Sequence, residues 1–190
     1  GEVADRTLAE VMQMKYRKIT NQEYVPREAR NRLIDCTKVP TLEQVIIFCK
    51  ERNLKLMIET KEYHDHNLLR KKIVGLYDKY DMYSWSFVAT FNPWHLYWYR
   101  REYPNVPTCL LYCRTCTEWY HQDASKEMLL PSWLNYSPIR MTADWLLWYF
   151  SPTFIADWMG VAMVGPHNIL ISPALITSLT TRGIVCDVWT

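Results

Sequence analysis

Two residues of opposite charge, Glu59 and Lys61, end a segment whose pattern predicts a β-strand. Apolar residues alternate with other residue types over 54–59, as expected for a half-buried strand. Because Glu59 and Lys61 are two positions apart, their side chains leave the strand on the same face. A carboxylate can bind a divalent cation, and an ammonium group can bind a phosphate that the same cation contacts. A solvent-exposed ion pair at a strand end is the alternative interpretation, and the spacing alone leaves both open.

The elements around this pair indicate how it is positioned. An amphipathic helix over 41–52 leads directly into the strand, and a helix followed by a strand with charges at its carboxyl end is typical of an α/β barrel. Further strands are predicted at 85–91, 107–112, 160–164 and 184–189, and further helices at 7–15, 64–80, 93–102 and 173–182. Strands joined by helices in this way are expected to lie parallel, with right-handed crossovers.

Composition and charge exclude some classes of function. The chain has 190 residues, of which 49% are hydrophobic, and a net charge of +2. No run of Lys and Arg is long enough to form a basic track, so nucleic-acid binding is not predicted. The aromatic share is 14%, with nine Trp and thirteen Tyr, and this favours a broad apolar cleft or a membrane-facing surface.

The six cysteines include three that lie close together, at Cys109, Cys113 and Cys116. Their spacing matches no zinc pattern, and only His121 is near enough in the sequence to serve as a fourth ligand. Cys49 lies on the apolar face of a predicted helix, and Cys109 and Cys186 lie in predicted strands. Buried thiols are therefore the preferred interpretation.

An apolar, aromatic segment occupies 137–164. Asp144, Pro152 and Asp157 interrupt it, so it does not contain the uninterrupted run of about 20 apolar residues that a membrane-spanning helix needs. Two interpretations remain: a pair of inserted helices packed on the barrel, or an apolar lid or interfacial helix that contacts lipid head groups.

Five short motifs occur in one order: PTLE at 40–43, LMIETK at 56–61, TFNP at 90–93, PTCLL at 107–111 and GIVCDVWT at 183–190. Together they resemble the glycerophosphodiester phosphodiesterase family, and most closely its animal membrane-associated branch. The resemblance covers nearly the whole chain. It implies a TIM-type (β/α)8 barrel that is incomplete, without the first two strands and the last strand. It also implies one partial domain over 1–190 with an apolar insertion at about 117–164, in agreement with a length below the about 250 residues of a complete barrel.

The resemblance also implies the chemistry, which is hydrolysis of a glycerophosphodiester to glycerol 3-phosphate and an alcohol with Mg²⁺ or Ca²⁺ as cofactor. Glu59 matches a metal carboxylate, and Lys61 matches the lysine beside the substrate phosphate. Phe91 lines the cleft, and Trp189 forms the wall on the glycerol side. The other metal carboxylates and both acid–base histidines match no residue of this chain. No catalytic residue is therefore assigned, and the isolated chain is expected to be inactive and poorly stable.

Each of the five histidines has an expected setting. His64 and His66 are expected to form a solvated helix cap, and His95 to lie on an amphipathic helix, packed or exposed. His121 lies in a polar loop. His167 follows a predicted strand at the same end of the barrel as Glu59, so it is the one histidine that merits a direct test.

The expected partners are a glycerophosphodiester or lysolipid-like substrate and a membrane surface. The protein is expected to be membrane-associated, with its catalytic domain lumenal or extracellular. Two other functions are compatible with the same residues. One is a non-catalytic barrel that binds membranes or protein partners through its aromatic surface, and the other is a phospholipase D-like lyase that acts on lysolipids and shares the metal site.

Overall fold

The computed structural model describes residues 6–14, 39–61, 65–113 and 138–189. The chain divides into two compact units, 1–54 and 55–190. The predictions for His64, His121, Cys36 and Cys116 lie outside the described residues. Whether 1–190 forms a single domain stays a prediction.

The described part of the first unit contains two helices, α1 (Leu8–Gln13) and α2 (Leu42–Glu51). Each begins with a capping box. At α1, Thr7 Oγ1 accepts a hydrogen bond from the Glu10 amide, and a Glu10 carboxylate oxygen accepts one from the Thr7 amide at 2.7 Å. At α2, Thr41 and Gln44 make the same reciprocal pair. The caps satisfy amide groups that have no partner inside the first turn of a helix.

The first strand starts later than the sequence predicts. The prediction began it at Leu54, but β1 comprises Leu56–Glu59. Asn53 ends the preceding helix in the left-handed conformation, with φ of 52°, and the Leu54 amide donates to the Cys49 carbonyl at 2.9 Å. Leu54 is therefore part of the helix C-terminal motif rather than of the strand.

The second unit is built on five parallel strands that pair in chain order. They are β1, β2 (Ser86–Thr90), β3 (Thr108–Tyr112), β4 (Met163–Pro166) and β5 (Val185–Cys186). The first two crossovers contain α3 (His66–Tyr80) and α4 (Pro93–Glu102). The parallel arrangement confirms the prediction made from the alternation of helices and strands.

The sheet is apolar on both faces, as expected for parallel strands covered on each side. On the helix side, Leu110 and Val164 pack with Leu96 of α4. On the opposite face, Cys109 and Leu111 of β3 pack with Ala89 of β2. The predicted burial of Cys49 and Cys109 is confirmed, whereas Cys186 is only half-buried.

The β3–β4 connection contains three consecutive helical segments in its described part. They are α5 (Pro138–Phe150), a π-helical turn (Ser151–Ile155) and α6 (Ala156–Met159). Gly160 ends α6 with φ of 59°, a left-handed conformation that favours glycine. The strand predicted at 160–164 therefore begins too early, since the observed strand begins only at Met163.

The inserted helices pack on the sheet with one side only. Ala156 and Met159 are buried against the helix-side core, whereas Trp145, Phe154 and Trp158 are each more than half exposed. Among the described residues, no helix has the length and apolar character needed to cross a membrane.

A 3₁₀ turn (Asn168–Leu170) and a last helix, α7 (Pro173–Thr181), connect β4 to β5. Arg182, which follows α7, donates to the Asp157 carboxylate at 2.8 Å and to the Thr153 carbonyl at 3.3 Å. The guanidinium thereby adds a hydrogen bond to a carbonyl of the π-helical turn. This contact ties the inserted helices to the last helix.

Candidate active site

The carboxyl ends of parallel strands lie at one edge of the sheet, and Glu59 and Lys61 lie at that edge at the end of β1. Lys61 Nζ is 3.4 Å from Glu59 Oε1, which confirms that the two side chains share a face. The Lys61 side chain is 52% exposed and that of Glu59 is 32% exposed. The pair is thus open to solvent and accessible to a ligand that approaches this edge.

The register places this pair beside the face of the sheet that is opposite to the helices, which we call the inner face. Glu59 pairs with Ala89 of β2, and Ala89 pairs in turn with Cys109 of β3. The Thr60 amide donates to the Ala89 carbonyl at 2.9 Å, which continues the pairing beyond the last residue of β1. Thr60 itself is buried, and its hydroxyl donates to the same carbonyl at 3.5 Å.

Two aromatic residues cover the same edge. Phe91 follows β2, and its ring lies 5.3 Å from that of Trp189, centroid to centroid, at an interplanar angle of 89°. Edge-to-face packing of this kind is favoured by the aromatic quadrupole. Both rings pack on the core formed by Ala89, Cys109 and Leu111. Strands two and five therefore contribute to one aromatic wall over the inner face, which we call the Phe91–Trp189 wall.

The indole of Trp189 is held by its N–H group. Trp189 Nε1 donates to the carbonyl of Gly165 in β4 at 2.9 Å. Gly165 was missed by the sequence interpretation, although glycine inside a strand signals a close approach of another group. A β-carbon at this position would lie 2.5 Å from Leu111 Cδ2 and 3.2 Å from the Asp187 carbonyl oxygen. The absence of a side chain at Gly165 therefore lets the inner face pack closely beneath the wall.

His167 joins this wall. Its ring lies 4.6 Å from that of Trp189 at 86°, and the two residues form a parallel bridge. The Ile169 amide donates to His167 Nδ1 at 3.4 Å, so in the neutral ring the proton is on Nε2. The structure thus places His167 at the carboxyl edge, as predicted. Its catalytic role stays a prediction.

Of the other two described histidines, His95 is packed on a helix, which is one of the two settings expected for it, whereas His66 does not lie in its predicted setting. Asp65, rather than a histidine, caps α3, because its carboxylate accepts from the Leu68 amide at 2.9 Å. His66 is half-buried instead of fully solvated, and it contacts the buried His95 of α4. The pairing joins residues 29 positions apart, and no local signal in the sequence indicates it.

A metal centre would need several ligand side chains close together. No group of three or more His, Cys, Asp and Glu side chains within these ranges is arranged to hold an ion. Glu59 is an oxygen ligand of the type that Mg²⁺ and Ca²⁺ prefer, but one of its oxygens faces Lys61. The described residues therefore do not form a complete site for either ion.

Comparisons with known proteins bear on the fold. No family model matches the sequence, and no curated protein matches it. Among solved structures, an Oleispira antarctica phosphodiesterase in complex with the product sn-glycerol-3-phosphate is similar to the whole chain, with 12% identity, a TM-score of 0.63 and coverage of 60% of that protein. A glycerophosphodiester phosphodiesterase from Parabacteroides distasonis is similar over 81% of this chain and 52% of its own length, with 18% identity and a TM-score of 0.52.

At sequence identities of 12% and 18%, the structural similarity shows the fold of this chain. Across five such structures, this chain spans between 46% and 61% of the length of the protein that it matches. The predicted TIM-type barrel is confirmed, and the five described strands form an incomplete barrel. The chain thus has an α/β-barrel fold that resembles the fold of glycerophosphodiester phosphodiesterases, with Glu59, Lys61 and the Phe91–Trp189 wall at the carboxyl edge.

Proposed function

We propose that the whole protein is a phosphoric diester hydrolase that converts glycerophosphodiesters to glycerol 3-phosphate and an alcohol. The observation that carries this proposal is the Glu59–Lys61 pair at the carboxyl end of β1. It supports the proposal because active sites of α/β barrels lie at that end. The similar structures named above are phosphodiesterases, and one of them holds sn-glycerol-3-phosphate.

Lys61 is suited to bind the phosphate of the substrate. A phosphodiester is an anion, and further negative charge develops on its oxygens in the transition state, so a fixed cation lowers the barrier. The ammonium group is half exposed at 3.4 Å from the Glu59 carboxylate. A phosphate can therefore reach it without the cost of breaking a buried ion pair.

For Glu59, we propose a role as one ligand of Mg²⁺ or Ca²⁺. Its side chain is partly exposed at the strand end, and carboxylate oxygens are hard ligands that suit both ions. The other ligands and the acid–base groups that the resemblance implies match no residue of this chain. We therefore assign no reaction step to the metal.

The Phe91–Trp189 wall is suited to the glycerol part of the substrate. Because the Trp189 N–H group is occupied by the Gly165 carbonyl, the indole offers an apolar surface rather than a hydrogen bond. Such a surface contacts the C–H groups of glycerol and displaces water from the phosphate site. Next to it, His167 carries its proton on the nitrogen that does not contact Ile169, so it is available as a donor to a substrate oxygen.

The test is turnover of a panel of glycerophosphodiesters with choline, ethanolamine or inositol head groups by the full-length protein. We expect release of glycerol 3-phosphate, abolished by Glu59→Ala and lowered about 10²- to 10³-fold in kcat/KM by Lys61→Met. Lys55→Met is the matched control, because Lys55 precedes the same strand at its other end. Retained activity of Glu59→Ala at saturating Mg²⁺ or Ca²⁺ would remove Glu59 from the metal site.

The product distinguishes the alternative reactions. A stable cyclic phosphate would identify a lyase of the phospholipase D-like type instead of a hydrolase. The absence of any product from the whole panel would favour the non-catalytic barrel.

The exposed aromatic side of the inserted helices supports a second proposal, which is association with a membrane surface. Trp145 stacks on Tyr149 at 5.7 Å, and Phe154 stacks on Trp158 at 6.3 Å. Because all four are more than half exposed, they form an apolar surface that water solvates poorly, and Trp and Tyr are common at membrane interfaces. This surface would also bind the acyl chain of a lysolipid-like substrate. Its apolar character is compatible with our further proposals that the protein belongs to the membrane-associated branch and that its catalytic domain is lumenal or extracellular.

Vesicle co-sedimentation tests this second proposal. The paired substitution Phe154→Ser and Trp158→Ser is expected to reduce binding to phospholipid vesicles at least tenfold. The matched control Ile169→Ser, at an exposed residue of the 3₁₀ turn after β4 rather than of the inserted helices, is expected to leave binding unchanged. Equal binding by both variants would show that the aromatic surface does not contact lipid.

A further inference from the structure

Helix α4 presents two tryptophans on its outer side. Trp94 is more than half exposed, and Trp98 is more than one-third exposed. A helix that covers a sheet needs an apolar stripe only on the side that faces the sheet, and in α4 the buried Leu96 packs there with the strands. The packing of α4 on the sheet therefore does not account for the two outward tryptophans.

Tyr97 connects these tryptophans to the inserted helices. The centroid of its ring lies 6.2 Å from that of Trp94 and 5.3 Å from that of Trp98. On the side of the insertion, the same ring lies 6.1 Å from that of Trp158, which stacks in turn on Phe154. The aromatic surface of the insertion thus continues onto α4, and we call these five residues together the extended aromatic surface.

Two exposed arginines in the last turn of α4 lie at the margin of this surface. The guanidinium of Arg101 donates to the Tyr97 hydroxyl at 3.0 Å and lies 5.8 Å from the centroid of the Trp98 ring. Arg100 lies at the end of the insertion, since a β-carbon added at Gly160 would be 3.1 Å from its Nε atom. Both positive charges are therefore held next to the exposed rings.

The carboxylates nearest in the chain to this surface are already paired. The acidic residues of α4, the π-helical turn and α6 are Glu102 and Asp157. Glu102 is paired with Arg70 of α3 at 3.1 Å, and Asp157 is paired with Arg182 at 2.8 Å. Positive charge therefore predominates beside the extended aromatic surface, and this charge is complementary to an anionic partner.

We propose that the extended aromatic surface binds anionic lipids of a membrane, with α4 lying along the layer of head groups. Aromatic rings flanked by cationic side chains are typical of helices that lie in a membrane interface. The aliphatic part of an arginine side chain covers apolar surface while its guanidinium reaches a lipid phosphate. The inference rests on the membrane association proposed above, to which it adds α4 as a second contact and the charge of the lipid.

This contact would also bring the candidate active site close to the lipid. Trp94 is the second residue of α4 and lies three positions after Phe91, at the carboxyl end of β2. The first turn of α4 is thus at the same edge of the sheet as Glu59 and Lys61. Docking along α4 would hold this edge beside the head groups from which a lipid-derived substrate comes.

Co-sedimentation of the full-length protein with two kinds of vesicle tests the proposal. One kind contains phosphatidylcholine alone, and the other contains an equal mixture of phosphatidylcholine and phosphatidylserine. We expect tighter binding to the anionic vesicles at low salt and loss of this preference as NaCl is raised, because salt screens the attraction. Arg101→Gln should weaken binding to the anionic vesicles about fivefold and leave binding to phosphatidylcholine unchanged, and the further change Arg100→Gln should weaken anionic binding again.

Two other variants separate the contributions of charge and apolar surface. Trp94→Ser should weaken binding to both kinds of vesicle, because it removes apolar surface and no charge. Lys72→Gln is the matched control for the loss of one positive charge, and it should bind both kinds as the wild type does. Lys72 is exposed on α3 two positions after Arg70, which faces α4, so Lys72 lies on another side of that helix.

The outcomes distinguish this inference from the broader membrane proposal. Equal binding to both kinds of vesicle would overturn the inference and leave the aromatic contact with lipid intact, whereas absence of binding to either kind would overturn both. Equal losses in Arg101→Gln and Lys72→Gln would also overturn it, since the attraction would then depend on overall charge. A dimer that Trp94→Ser dissociates, without binding to vesicles, would show that the surface joins two copies of the chain instead.

Discussion

The ion pair between Arg70 and Glu102 allows a quantitative test of the packing between α3 and α4. The Arg70 side chain is only 7% exposed, and its guanidinium donates to the Glu102 carboxylate at 3.1 Å and to the Asn67 side-chain oxygen at 3.4 Å. Its Nε atom is buried, and no hydrogen-bond partner for it lies among the described residues. Removal of Glu102 would therefore leave a buried charge with only neutral neighbours from these residues, the Asn67 side-chain oxygen and the Trp98 ring at 5.7 Å.

The expected cost follows from the burial of the two partners. Breaking a fully buried pair by removing one partner costs about 3–5 kcal/mol, since the remaining charge is uncompensated. The Glu102 side chain is 34% exposed, so water can enter after truncation and replace part of the lost interaction. We expect Glu102→Ala to lower the free energy of unfolding by about 2–3 kcal/mol, below the range for full burial.

Urea unfolding of the full-length protein measures this loss by linear extrapolation. Glu102→Gln is the matched control, because it keeps an acceptor of the same shape and loses only the charge, and its loss should be smaller. The double variant Arg70→Met with Glu102→Leu should recover most of the stability, because it removes the buried charge together with its partner. A loss below about 1 kcal/mol for Glu102→Ala, the range of exposed pairs, would refute the inference that Arg70 is a buried charge that depends on Glu102.

Two further predictions concern stability. Gly165→Ala should lower the free energy of unfolding by about 1–3 kcal/mol through overpacking against Leu111. Gly75→Ala in α3 should raise it by about 0.5–1 kcal/mol, because an added β-carbon there would meet no described atom within 4 Å other than its chain neighbours and the helix backbone. Equal urea midpoints for the two variants would contradict this packing. The hydrogen bond to Asp78 raises the pKa of Tyr83 to about 12, above its ordinary value of 10.0, so the folded state holds this proton more tightly than the unfolded state. The resulting stabilisation is present below pH 10 and is lost as the pH rises to about 12. The difference in urea midpoint between wild type and Tyr83→Phe should therefore shrink between pH 9 and pH 12. A constant difference over this interval would exclude the linkage.

Several features could be predicted from the sequence because they depend on neighbours along the chain. The caps at Thr7 and Thr41 involve residues three positions apart, and the common face of Glu59 and Lys61 follows from the two-residue period of a strand. The parallel sheet follows from the regular alternation of helices and strands. Element boundaries were less accurate where a left-handed residue ends a helix, at Asn53 and Gly160, since the hydrophobic pattern continues through such residues without a change.

The tertiary structure alone decided the contacts between distant segments. The edge-to-face contact of Phe91 with Trp189 joins strands two and five, and the pairing of His66 with His95 joins two helices. Such contacts depend on strand order, register and the positions of helices on the sheet, which no local pattern specifies. The sequence by itself thus determined the fold class and the charged pair at the end of β1, whereas three-dimensional packing determined which side chains surround that pair and which histidines meet.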